Sequence, residues 1–384
     1  MIHILNWGMG VESTAILLRW LLDEGSRDFA LSELLVLTAQ TGDEFDDTKA
    51  LVETHILPLL RQNQVRLVEV ARNGPTVKDG YIVLQDSRFP VTLHTEGAYT
   101  LSENLIAAGT VPRLGRPHLC AIRFKGEVLD AWIADHIHDP FGPYIGYNAE
   151  ETKRAEKSSD YGCRGETYRY PLIEWGWSRQ DCLDYLKQML GADWEKSCCQ
   201  YCPFQSKAAA IARYRQQPQA GAFALWIGGL ALALNPRMHL FSRGTAYDVC
   251  VEGGCHKALE LYRQRLERED FAVYRVRRIY AANGTTKRTT VNARRNVETV
   301  GQGNRTQMTD LLAQMGNAQD AELETSGGWL RFYRHRKTPK VYPSYEEFFV
   351  VCPDAIRDKC QNPTRFESDW QQLTGAVRQL SLAI

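Results

Sequence analysis

The chain has no surplus of charge of either sign. Its 46 basic and 46 acidic residues cancel to a formal net charge of zero. That balance removes the global electrostatic pull toward nucleic acid or an anionic membrane that a strongly basic chain would have. Long apolar runs are missing too. The longest, Ala222–Leu234 (AFALWIGGLALAL), falls short of the roughly 20 residues that a membrane-crossing helix needs. No charged start leads into an apolar stretch and a small-residue cleavage site, so no signal peptide is expected. The expected location is cytoplasmic, with no membrane partner. Neither an internal repeat nor a low-complexity tract stands out. Two familiar glycine-rich phosphate loops are absent as well. No Lys-Ser/Thr pair follows a four-residue spacer, and no third glycine at position 13 completes G-x-G-x-x-G after Gly8 and Gly10.

What is present describes an ordinary globular protein. The 384 residues suffice for one large domain with an appendage, or for two domains. Apolar residues make up 44% and charged residues 24%, so a sizeable core can form. Ten cysteines in a reducing compartment point to metal binding or catalysis before disulfides.

Residues 1–71 read as repeating strand and helix. IHILNW is a strand and VESTAILLRWLLDEG a helix with apolar residues at helical spacing. LSELLVLTAQTG holds a second strand, DDTKALVETHILPLLRQ a second helix, and VRLVEVA a third strand. Alternation of this kind predicts a parallel sheet with crossover helices. Residues 72–117 are rich in Gly, Pro and Thr and read as an insertion over the carboxyl edge of the sheet. Residues 118–138 read as helical, PYIGYNA as a further strand, and SRQDCLDYLKQML as a helix entered through a Ser cap. Beyond about residue 256 the texture changes. FAVYRVRRIYAANGTTKRTTVN reads as two strands around an Asn-Gly turn, and FESDWQQLTGAVRQL as a closing helix. The expected domains are therefore 1–255 and a small α+β module at 256–384.

Four stretches carry chemistry. In GMGVEST, Gly8 and Gly10 allow a tight strand-to-helix turn whose backbone N–H groups and helix dipole favour an anion. Ser13 and Thr14 add hydroxyls. The same residues also suit a plain turn. TAQTGDEFDDT falls at the end of the second strand, where an open α/β sheet places its ligand crevice. Asp46 and Asp47 suit a helix N-terminus, whereas Thr41, Gly42 and Glu44 suit a ligand. In GYNAEETKRAEKS, Glu151 and Arg154 lie three residues apart on one helical face, as either a site or a structural ion pair would have them. The fourth stretch, SCCQYCPFQS, has the C-x-x-C spacing with which two thiolates hold one metal or two irons of one cluster. Cys120, Cys163, Cys250 and Cys255 lie outside helix cores, while Cys182 reads as a buried small apolar residue.

Taken in chain order, these stretches resemble the phosphoadenosine phosphosulfate (PAPS) reductase-like branch of the PP-loop family. GMGVEST is similar to the family's S-G-G-x-D-S loop, and TGDEFDDT to its T-G-x-E-x-x-x-T segment. HLCAIRFK is similar to a Cys-Thr-x-x-x-Lys segment, IGYNAEETKR to G-x-x-x-x-E-(S/T)-x-R, and SCCQYCPFQS to C-x-x-C-P-(F/Y). The likeness covers about residues 1–255. It departs from the family at Gly8, Met9, Val11, Glu12 and Ala121. Val11 stands where members that cleave ATP often carry a lysine.

The resemblance implies an α/β fold: a parallel-sheet PP-loop (HUP-like) nucleotide-binding domain with a cysteine-rich extension. It implies nucleotide contacts from Gly8, Met9, Gly10, Val11, Glu12, Ser13, Thr14, Thr41, Gly42 and Glu44. Lys125, Glu151 and Arg154 are the implied catalytic side chains. ATP or PAPS is the implied nucleotide, with Mg²⁺ screening its phosphates. The implied cofactor is a [4Fe–4S] cluster on Cys120, Cys199 and Cys202 with Cys255 or Cys198 as the fourth ligand; a structural Zn²⁺ site is the alternative. The implied activity is adenine-nucleotide-dependent sulfur transfer or reduction. Because the catalytic Cys-x-x-Cys-Gly-like tail of the assimilatory reductases is not seen, a nucleic-acid modification or defence pathway is expected rather than sulfate assimilation. The other reading is a degenerate nucleotide-binding component of a defence or regulatory complex, working with partner proteins. A basic stretch at 275–295, from Arg275, Arg277 and Arg278 through Lys287 and Arg288 to Arg294 and Arg295, is either a nucleic-acid surface or a solvated strand face.

Overall fold

In strand β1 (Ile2–Asn6), Ile4 and Leu5 are both fully buried, yet they belong to cores on opposite faces of one sheet. Strand period dictates this alternation. A computed structural model supplies the coordinates, and it describes residues 1–115, 117–158, 168–281, 293–360 and 362–381. Strand β2 (Leu34–Gln40) is buried along its whole length, as expected of a parallel strand covered on both faces. With β3 (Arg66–Arg72), β4 (Tyr81–Ser87) and β5 (Phe141–Tyr144) it forms a five-stranded sheet in the order β4-β3-β2-β1-β5. All neighbours run parallel except β4, which joins β3 antiparallel at the edge.

Helix α1 (Val11–Leu22) covers one face, setting Ile16, Leu17 and Trp20 against Leu5, Val36 and Leu67. The helix Glu127–His136 covers the other, with Val128, Trp132 and Ile133 against Ile4, Leu35 and Val68. The chain first steps outward from β1 to β2 and β3, then places β5 on the other side of β1. An open α/β sheet offers its crevice at such a reversal of strand order, outside the carboxyl ends of the strands.

The expected insertion at 72–117 holds more structure than its composition suggested. It contains the edge strand β4 and the helix Leu101–Ala108. Tyr81–Ser87 is only half-buried, so its apolar alternation is blunt.

The chain divides into two compact units, one of residues 1–104 and 112–206, the other of 105–111 and 207–384. The division falls upstream of the expected boundary at 256. Packing gives the reason. The apolar helix Pro218–Leu234 lies against the helix His256–Arg268 and against strand β10 (Ser344–Pro353), all in the second unit. That unit has a six-stranded antiparallel sheet ordered β11-β7-β6-β10-β9-β8. Its other strands are β6 (Phe271–Tyr280), β7 (Arg294–Gly303), β8 (Leu323–Ser326), β9 (Trp329–His335) and β11 (Lys359–Cys360). Strands β6 and β7 pair antiparallel as expected; the Asn283-Gly284 turn lies outside the described residues. Among the described residues, no helix is long and apolar enough to cross a membrane.

Candidate functional site

The turn after β1 lies beside the strand-order reversal. Gly10 caps α1 with extended backbone, and Met9 before it adopts φ +58°, in the left-handed region that glycine favours. A methionine held there costs roughly 1–2 kcal/mol relative to right-handed backbone. Met9 is almost fully buried, so burial of its side chain offsets that strain. Thr14 accepts a hydrogen bond from the Trp7 indole at 3.1 Å, while Ser13 Oγ lies 3.5 Å from the Gly10 carbonyl. Val11 is fully buried in the core, and Glu12 is ion-paired to Arg179. Of the loop's side chains, Ser13 is thus the one with the weakest internal bond.

The segment after β5 closes on this turn. A Cβ added to Gly146 would lie 2.8 Å from the Ser13 backbone nitrogen and 3.0 Å from its Cα. Glycine at 146 lets the two loops approach backbone to backbone. At the carboxyl end of β1, Asn6 Oδ1 is buried without a hydrogen-bond partner among the described residues.

The loop after β2 is bound to the cysteine-rich segment. Glu44 is buried, and its carboxylate accepts from Cys198 N at 2.7 Å, Ser197 Oγ at 3.0 Å, Thr48 Oγ1 at 3.1 Å and Phe45 N at 3.3 Å. Burial raises its pKa against those donors and the nearby Lys125 charge. Asp43 is buried as well. It accepts from Ser102 N at 2.9 Å and from the Tyr201 hydroxyl, and burial raises its pKa. Two further bonds reach the first loop: Ser197 Oγ donates to Gly8 O at 2.9 Å and Trp194 Nε1 to Met9 O at 3.1 Å. Residues 194–201 therefore bridge the loops after β1 and β2.

The thiols sort into two environments. Cys199 Sγ lies 3.2 Å from Thr41 Oγ1, and burial beside Asp43 and Glu44 pushes its pKa well up. Cys202 behaves oppositely. A hydrogen bond from the Cys198 thiol is the main influence lowering its pKa, assisted by the Phe204 backbone, Lys196 and Lys125. Cys120 is close enough to Cys202 for each charge to affect the other, and burial raises the Cys120 pKa. Lys125, in the π-helical turn Ile122–Gly126, has no ion-pair partner among the described residues. Its charge acts on Glu44, Cys120, Cys199 and Cys202. As placed, no three His, Cys, Asp or Glu side chains among the described residues converge for a metal ion.

Other expected site residues lie elsewhere. Glu151 and Arg154 pair with each other; Glu151 also accepts from Asn148 N, and Arg154 sits 4.5 Å from the Tyr147 ring centre. Cys255 belongs to the second unit, where it hydrogen-bonds with Cys250. Cys163 lies outside the described residues, as do Lys287 and Arg288 of the basic stretch. The described arginines of that stretch are spent inside their unit. Arg275 pairs with Glu347 and Glu298, Arg277 with Glu367 and Glu298, Arg278 with Glu346, and Arg294 with Asp369. Arg295 donates to the Ala108 carbonyl.

Reasoning from sequence did not single out Trp194, Ser197, Tyr201 or Gly146 as individual residues. Their signal was position alone, within the cysteine-rich and IGYNAEETKR stretches. No protein-family model, curated protein or solved structure matches the chain.

Proposed function

We propose that this protein is an adenine-nucleotide-dependent sulfur-transfer or reductase enzyme of the PAPS reductase-like kind. The observation that carries the reading is the stitching of the thiol segment to the loops at the strand-order reversal, through Ser197–Gly8, Trp194–Met9 and Cys198–Glu44. A nucleotide phosphate bound at the start of α1 would then have the thiols as close neighbours in the same unit. Backbone N–H groups of the first helical turn, with the helix dipole behind them, favour an anion there. Ser13 adds a hydroxyl donor for the phosphate, and the unspent acceptor Asn6 Oδ1 suits a hydroxyl of the nucleotide's ribose rather than the phosphate itself. Mg²⁺ would screen the phosphates.

Thiolates are the ligands that iron–sulfur clusters and zinc take. The Cys198–Cys202 pair, with Cys120 within electrostatic reach, fits such a group in donor chemistry. Cys120, Cys198 and Cys202 would hold it, with Cys199 turned to Thr41. A [4Fe–4S] cluster supplies electrons or sulfur when bound. Lys125 favours the thiolate forms and would steady negative charge on the sulfur being moved. Glu151 and Arg154, tied to each other, serve the entry of the loop after β5 rather than the reacting atoms. A nucleic-acid modification or defence pathway is the proposed setting, in the cytoplasm.

Anaerobically purified protein tests the reading. A brown protein with about four irons per chain that converts ATP to AMP and pyrophosphate, or releases sulfite from PAPS, is the expected result. Colourless protein with one zinc, binding nucleotide without turnover, would instead favour the degenerate nucleotide-binding component. The specific support for that second reading is Val11, a buried apolar residue where a loop cation would assist ATP cleavage.

A further inference from the structure

The second unit has a cavity of about 470 Å³, in the size range of small-ligand sites. Five cations line it against two carboxylates, a surplus of three positive charges. The carboxylates are already taken: Glu346 pairs with Arg278 at 2.9 Å, and Glu324 with Arg336. Arg237, Lys337 and Lys340 have no carboxylate partner among the described residues. Lys337 instead donates to the Tyr342 hydroxyl at 2.8 Å, with its ammonium over the Tyr280 and Tyr342 rings.

We propose that this cavity binds a small phosphorylated anion. A concave site with surplus cations raises the local concentration of anions, and paired guanidinium and ammonium groups match a phosphate's charge and geometry. Nucleic acid fits less well. A strand-tracking surface needs a continuous basic groove with stacking aromatics, and the adjacent arginines of β6 are neutralised by Glu298, Glu346, Glu347 and Glu367. Three of the five cations, Arg336, Lys337 and Lys340, come from one basic stretch of sequence, and the fold adds Arg237 and Arg278 to them from far along the chain.

Inorganic pyrophosphate is the probe, titrated into the full chain by calorimetry. Arg237 and Lys340 are exposed, so the R237Q/K340Q double variant should keep the wild-type melting temperature. Loss of two charge-assisted contacts should weaken binding at this site at least about tenfold. Glu324→Gln should act in the opposite direction, releasing Arg336 and tightening binding; a folding defect would not do that. The same titration in Gly146→Val separates this cavity from the loop of the first unit. Binding lost in Gly146→Val but kept in R237Q/K340Q overturns the assignment. So does a wild-type chain that ignores pyrophosphate. A 12-mer single-stranded oligonucleotide that binds more tightly and displaces pyrophosphate would also overturn the small-ligand reading.

Discussion

The Cys198 backbone N–H donates to a Glu44 carboxylate oxygen 2.7 Å away, so an acid in the loop after β2 holds the first cysteine of the cysteine-rich segment. Sequence suggested that Glu44 faces a ligand. Its four internal donors make it a clasp instead. Glu44→Ala would leave buried donors without an acceptor, and each such loss from a charged partner costs roughly 1.5–3 kcal/mol. Chemical denaturation of the full chain should show a stability loss on the order of 3 kcal/mol. Glu44→Gln, which keeps one acceptor oxygen, should lose less. Equal stability of Glu44→Ala and wild type would remove the clasp.

Gly146 should be intolerant of any side chain. The new Cβ would meet backbone atoms of Ser13, and backbone cannot rotate aside as a side chain does. Gly146→Ala is expected to displace the start of α1 at a cost of about 1–3 kcal/mol, typical of overpacking. On the proposed function, affinity for ATP or PAPS should fall at least about tenfold. Calorimetric titration with each nucleotide checks this, and an unchanged dissociation constant would detach the loop after β5 from the site.

How much of this was legible beforehand varied with the range of the interaction. The strands Ile2–Asn6, Leu34–Gln40 and Arg66–Arg72 followed from local apolar pattern, as did α1. Edge strand β4 did not, because a half-exposed edge lacks clean alternation. The boundary near 256 was placed by a change in charge texture, whereas the actual division follows the packing of Pro218–Leu234, a long-range choice that sequence alone does not record. The same limit applied at the site. Its residue types were visible, but a backbone N–H is invisible in composition, and Cys198 N is what occupies Glu44.

Glu69 gives stability a pH dependence. It is fully buried in β3, and burial raises its pKa from the ordinary 4.5 to about 7 despite hydrogen bonds from Gln40, Gln85 and His94 N. Between those values the folded chain binds more protons here than the unfolded chain, so stability falls as pH rises. The contribution is fully present below pH 4.5 and lost by about pH 7, a change of about 3 kcal/mol. Glu69→Gln removes the titration, and Gln85 can reverse its amide to accept from the new one. Denaturation midpoints at pH 5 and pH 8 should therefore differ less in Glu69→Gln than in wild type. Parallel pH profiles would show that Glu69 is ionised throughout.

Cys202 should be the most reactive thiol of the cysteine-rich segment. The attacking species in alkylation is the thiolate, and reactivity follows its population and access. Cys202 is half-buried, and the Cys198 thiol, the Phe204 backbone and two lysines lower its pKa. Cys199, three residues earlier, is driven the other way by burial beside Asp43 and Glu44. Cys198→Ala removes the main stabilising donor, so the Cys202 pKa should rise and its alkylation slow. Lys125→Gln should move it in the same direction by less, since the Lys125 charge ranks last among the influences on Cys202. Metal-free protein treated with iodoacetamide across pH 6–9, with each cysteine followed by peptide mass spectrometry, reads out both effects. Cys202 modified before Cys199, at a lower apparent pKa that rises in Cys198→Ala, is the expected pattern. If Cys198→Ala leaves the Cys202 profile where it was, the thiol pair is not what stabilises the thiolate, and the assignment of Cys198 beside Cys202 in the proposed donor set falls with it.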